Sequence, residues 1–110
     1  MSASVFRLVA ANTTNLTKIR DVGANFAGLY VVNTTAAIIY IKLYSGNVTP
    51  AVGTTAIWQT YMVAASTDKH INPTEPICSN ATLWLATTAN AIDSDATAIG
   101  AGPIIHVFYE

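Results

Sequence analysis

The sequence predicts an all-β chain: a single-domain antiparallel β-sandwich of jelly-roll or Greek-key type, spanning residues 1–110. Three observations predict it. Short runs rich in Val, Ile, Tyr, Phe and Trp, which suit a pleated and packed surface, recur along the chain. Polar breaks of Thr, Asn, Ser, Gly and Pro, the residues that close turns, separate them. No segment carries the Leu/Glu/Lys face of a stable amphipathic helix. The length suits one domain with a modest core and is too short for two.

The elements follow in order. Residues 4–10, SVFRLVA, alternate Val5, Arg7 and Val9 against Phe6 and Leu8, a strand pattern. The cluster ANTTN at 11–15 is a turn, and LTKIR at 16–20 a second, more exposed strand. Residues 21–25, with Gly23, form a loop. The centre of the domain is 29–44, LYVVNTTAAIIYIKLY. It reads as two strands, 29–32 and 36–44, joined by Asn33-Thr34-Thr35, and the short connection predicts an antiparallel hairpin. Gly46 and Pro50 then break the sheet. TAIWQTYMVAA at 55–65 has Trp58, Tyr61, Met62 and Ala65 at helical spacing, but its β-branched and aromatic content predicts a strand. Residues 66–76 hold two prolines and read as a loop with at most a short edge strand, followed by a strand fragment at 76–78. Leu83 and Leu85 alternate with Thr82, Trp84 and Ala86 in a further strand. A long polar loop at 88–102 leads to the last strand, 103–109. The total is about seven or eight short strands, the count of a sandwich.

Two of these strands are apolar on both faces. In one, Ile39, Ile41 and Leu43 make a core face, with Ile38, Tyr40, Lys42 and Tyr44 opposite. In the other, Ile105, Val107 and Tyr109 lie opposite Ile104, His106 and Phe108. One face fills the domain's own core. The other must be covered by connections between strands or by a neighbouring subunit.

Just over half the residues, 52%, are hydrophobic and only 10% are charged, against about a quarter in an ordinary soluble domain. With a formal net charge of −1, little repulsion keeps copies apart, so self-association is expected. The residues expected at such an interface are Ile38, Tyr40, Tyr44, Trp58, Trp84 and Phe108. The five basic residues are scattered without a basic stripe, which argues against nucleic acid as a partner. No apolar run is long enough to span a membrane, and no signal peptide is visible at the N-terminus. Synthesis in a cytoplasm is the expectation.

No catalytic, cofactor-binding or metal-binding residue is assigned. The one cysteine, Cys78, excludes an internal disulfide and is expected to pack as a small buried hydrophobe. Asp93-Ser94-Asp95-Ala96-Thr97 spaces oxygen-bearing side chains as a calcium loop begins, but it lacks the central Gly and bidentate Glu, so a solvated loop is expected. His70, beside Asp68 and Lys69 and near Glu75, sits in a polar loop that needs no catalytic account. His106 reads as a packed or interface histidine. No phosphate-binding loop, HExxH or nucleophile elbow is present. The Asn-x-Thr triplets at Asn12, Asn15, Asn33, Asn47 and Asn80 read as chance matches in a Thr- and Asn-rich chain.

The pieces LYVVNTTAAIIYIKLY, TPAVGTT, AIDSDATAIGAG and IIHVFYE together resemble a group of small structural proteins of tailed bacteriophages. In that group a strand ending in YIKLY precedes a P-x-VGT turn, an Asp-rich loop with a late Gly, and a last aromatic strand. The resemblance covers roughly residues 29–109. It implies a β-sandwich virion component that assembles, often as a trimer, against the major capsid protein: a capsid decoration (cement) protein of the head surface, made in the host bacterial cytoplasm. It supplies no catalytic residues. The alternative is a receptor- or glycan-binding module of a phage fibre or baseplate, using Trp58, Trp84 or exposed tyrosines.

Overall fold

The structure, a computed structural model, describes residues 4–21, 23, 25–73, 77–78 and 81–110. The described residues form nine strands and no helix. They are β1 (Ser4–Val9), β2 (Thr17–Arg20), β3 (Asn25–Val32), β4 (Ile39–Ser45), β5 (Gln59–Val63), β6 (Asp68–Ile71), β7 (Ile77–Cys78), β8 (Leu83–Thr88) and β9 (Ile104–Tyr109). Sheet A runs β1-β9-β3-β6, with β7 also paired to β3, and sheet B runs β2-β8-β4-β5. The antiparallel pairs nest: β4 with β5, β3 with β6, β2 with β8, β1 with β9. One long doubled ribbon, folded at the β4–β5 turn, is rolled across two sheets, and that path is a jelly roll. The Greek-key possibility resolves to this path, with β6 at the sheet A edge where a short strand was expected.

The core lies between the sheets. Leu29, Val31, Ile105 and Val107 of sheet A face Ile39, Ile41, Leu43, Val63, Leu83 and Leu85 of sheet B, all almost fully buried. Each such side chain contributes about 1.5–3 kcal/mol on burial. Phe26 of β3 stacks on Tyr61 of β5 with ring centroids 5.9 Å apart, tying the layers together. The alternation read from the sequence is the alternation observed.

The expected hairpin is not formed. β3 lies in sheet A and β4 in sheet B, and they do not pair. A tight hairpin of the favoured type needs positive φ in its loop, and no residue from 33 to 38 has one. Instead the segment arches from one sheet to the other around the side chain of Asn33, which is 1% exposed. Its Nδ2 donates to Ala37 O at 2.8 Å and Ala64 O at 3.0 Å. Its Oδ1 accepts from Thr35 N at 3.0 Å and Thr35 Oγ1 at 2.7 Å. A similar device closes the turn after β1. Asn15, at φ 53°, accepts from Ala11 N at 2.8 Å and donates to Thr87 Oγ1 at 2.9 Å. Two Asn-x-Thr triplets therefore have a turn-closing cause, with the Thr hydroxyl supporting the turn at each.

The two sheets differ on their outer faces, and the chain itself covers the centre of that of sheet B, where Lys42, Tyr44, Ala86 and Thr88 are buried. Lys42, wholly buried, donates from Nζ to Ile92 O at 2.9 Å and Asp95 O at 3.4 Å. It thereby holds the 89–98 loop over β4. The 51–55 turn packs on that loop: a Cβ at Gly53 would lie 3.0 Å from Ser94 O. The loop's far end returns to the arch, where a Cβ at Gly102 would meet Thr34 Oγ1 at 2.9 Å and one at Gly100 would meet Thr35 Cγ2 at 3.4 Å. YIKLY, VGT, the Asp-rich loop and its late glycines form one interlocked cover.

Candidate interaction face

Sheet A keeps its outer face open. The register places three rows of side chains across it. Val5, Phe108 and Gly28 form the first. Arg7, His106, Tyr30 and His70 form the second. Val9, Ile104, Val32 and Asp68 form the third. Val5 and Val9 are 55% and 54% exposed, and Phe108, Ile104 and Val32 are half-buried. Phe108 lies across the space that Gly28 leaves free, since a Cβ there would be 3.4 Å from its ring.

The middle row is aromatic and polar. Tyr30 meets His70 edge-on at 5.9 Å and lies tilted against His106 at 5.7 Å. Its hydroxyl donates to Asp68 Oδ2 at 3.0 Å, and that bond pushes the phenol pKa up. His106 Nδ1 lies 3.3 Å from Tyr30 O. The Asp68 carboxylate is thus engaged by the Tyr30 phenol. Charge sits at opposite edges: Arg7 on β1 and Asp68 on β6.

The residues expected at an interface fall in three places. Phe108 is on the open face of sheet A. Ile38, 45% exposed, is just before β4, and Tyr40, half-buried, is on the outer side of sheet B next to Met62, 46% exposed. Trp84 also lies on that side, its Nε1 donating to Gly46 O at 2.9 Å. Trp58 packs against the core. Tyr44 is 1% exposed, so its outer face is covered by its own chain. Burial and nearby Asp93 both raise its pKa. Val5, Val9, Arg7, Val32 and Tyr30 complete the open face and were not singled out. Their signal was the Val-Arg-Val alternation of β1, which gains meaning only when β1 is laid beside β9.

In the Asp-rich loop, Asp95 accepts from Thr97 Oγ1 at 2.7 Å and from Asn90 N at 3.1 Å. These bonds lower its pKa. Among the described residues no group of three His, Cys, Asp or Glu is placed to hold a metal ion. Glu75 and Asn80 lie outside the described residues, as does the side chain of Cys78.

No family model and no curated protein matches the chain. Among solved structures it is similar to a crystal structure of PirA, at 10% identity and TM-score 0.50, over 98% of this chain and 94% of that one. That likeness agrees with the sandwich fold. A tobacco streak virus coat protein aligns at 7% identity and TM-score 0.42, over 99% of this chain and 87% of that one.

Proposed function

We propose that this chain is a non-enzymatic structural component of a bacteriophage particle, a decoration (cement) protein that binds and stabilises the assembled head as an oligomer. The observation that carries it is the outer face of sheet A, where Val5 and Val9 are exposed beside Phe108 and Ile104, while Lys42 holds the 89–98 loop over the centre of sheet B. The motif resemblance supports the virion setting and implies three-fold closure and the major capsid protein as partner. A ligand that binds only the assembled shell stabilises it by mass action, and several copies per oligomer add through effective concentration.

The test is sedimentation of purified chain with assembled heads and, separately, with unassembled capsid subunits. Retention by heads alone is expected, and equal retention by neither or both contradicts the reading. The alternative, a glycan- or receptor-binding module of a fibre or baseplate, draws on the exposed Tyr30 row. Binding of the isolated chain to host-surface glycans would favour it.

A further inference from the structure

We propose that the outer face of sheet A is where two copies of this chain meet, paired about a two-fold axis running along the strands. The inference deepens the structural reading above and rests on its premise that the chain associates. The argument is the distribution of charge and bulk on that face. Strand order is β1-β9-β3-β6, so rotation about an axis between β9 and β3 lays β1 of one copy over β6 of the other, and β9 over β3.

Arg7 of each copy then faces the β6 edge of its partner. It lies opposite His70 in its own row and two residues along from Asp68. That offset is about 7 Å of strand, within an arginine's reach. A two-fold axis across the strands would instead set β1 on β1 and Arg7 against Arg7. Unlike charges at the two edges select the first axis. Apolar side chains agree with charge: the same rotation lays Ile104 of one copy over Val32 of the other and Val9 over the β6 edge. Aligned sheets pack in this manner, about 10 Å apart.

A patch four strands wide and six residues long covers roughly 400 Å², about half the area per partner of a standard stable interface. The contact is therefore weak and reversible on its own, forming at micromolar concentration or above. A self-complementary face closes at two copies. It yields dimers, or pairs of trimers where a three-fold contact forms elsewhere on the subunit.

Sedimentation equilibrium from 5 to 500 µM decides it, with Arg7→Asp, Asp68→Arg, the double variant and Val9→Asp. The chain mass is 11.6 kDa. We expect the wild-type mass to rise with concentration, each single variant to raise the dissociation constant at least tenfold, and the double swap to recover most of the loss. Val9→Asp changes an exposed residue and keeps the test valid if Asp68→Arg, which also loses the Tyr30 bond, unfolds. A constant mass of 11.6 kDa overturns the proposal. Association that none of the variants weakens overturns this surface. Wild-type chain that stays at 11.6 kDa yet still binds assembled heads separates the two readings, since the self-contact proposal then fails alone.

Discussion

The ammonium of Lys42 donates to the carbonyl oxygen of Ile92 across 2.9 Å, from a side chain with no exposed surface. A buried cation is expensive unless it is paired or fully hydrogen-bonded. Here it bonds backbone oxygens of the loop it fastens, and no carboxylate of the described residues stands within ion-pair distance. Burial pushes the Lys42 pKa down, and Asp95 and Asp93 push it partly back. Lys42→Ala should cost about 2–4 kcal/mol, through the lost stem packing and the orphaned carbonyls. Urea unfolding reads the loss, and amide exchange should show the 89–98 segment opening first. Unchanged stability would mean that the loop is held by something else.

Tyr44 presents the opposite case. Its hydroxyl is buried and finds no partner among the described residues. Tyr44→Phe should therefore be neutral or stabilising by about 1 kcal/mol. Burial is also the first cause of raised pKa values at Tyr44 and Tyr61. In the folded state these phenols hold their protons above the ordinary value of 10.0. Their contribution is complete below pH 10.0 and lost as pH rises through the folded-state values. Lys42, lowered from 10.5, acts in the other direction, since the unfolded chain then binds more protons up to that pH. Comparing wild type with Tyr44→Phe between pH 9 and 11.5 isolates the phenol. The variant should lose stability less steeply.

Asn33 joins the arch to the end of β5 through Nδ2, which donates to Ala37 O and Ala64 O, while its Oδ1 closes the arch on Thr35. Asn33→Ala should cost about 2–4 kcal/mol, because it strips donors and acceptors from buried partners. Asn33→Asp should also destabilise, since a carboxylate cannot donate to Ala37 and Ala64. Thermal unfolding of both checks this.

Gly53 sits at φ +92°, where a Cβ would lie 3.0 Å from Ser94 O. Gly53→Ala should destabilise by about 1–3 kcal/mol, from backbone strain and from lifting the 51–55 turn off the loop. A variant as stable as wild type would show that this contact yields freely.

The Asp-rich loop is expected to be indifferent to metal. Lys42 already bonds two of its carbonyls, and Asp95 is engaged by Asn90 and Thr97. EDTA should leave the melting temperature unchanged, and added calcium should not raise it. A rise of several degrees that Asp93→Ala abolishes would contradict this.

Period-two alternation carried most of the fold. It placed Ile39, Ile41, Leu43, Leu83, Leu85, Ile105 and Val107 inward, because burial on one face is a local property of each strand. Pairing is not local. The short link at 33–35 read as a hairpin because nothing in three residues reveals that each flanking strand belongs to a different sheet. The second apolar face of β4 was ambiguous for the same reason. Its cover, the 89–98 loop, is some fifty residues away and is fixed by Lys42, a residue type seldom wholly buried. The open face needed the β1–β9–β3 register before its three rows existed at all. The YIKLY, VGT and Asp-rich pieces are used internally, in the cover over β4, while IIHVFYE supplies Ile104, His106 and Phe108 to the open face.

Imaging of the assembled particle with and without this chain tests the central claim most directly. The account predicts added density on the outer surface of the head, fitted by the jelly roll, with the sheet A face carrying Val5, Val9 and Phe108 against a neighbouring subunit and the 89–98 loop free of contacts. Particles identical in the two preparations, or density in which sheet A faces open solvent, would contradict it.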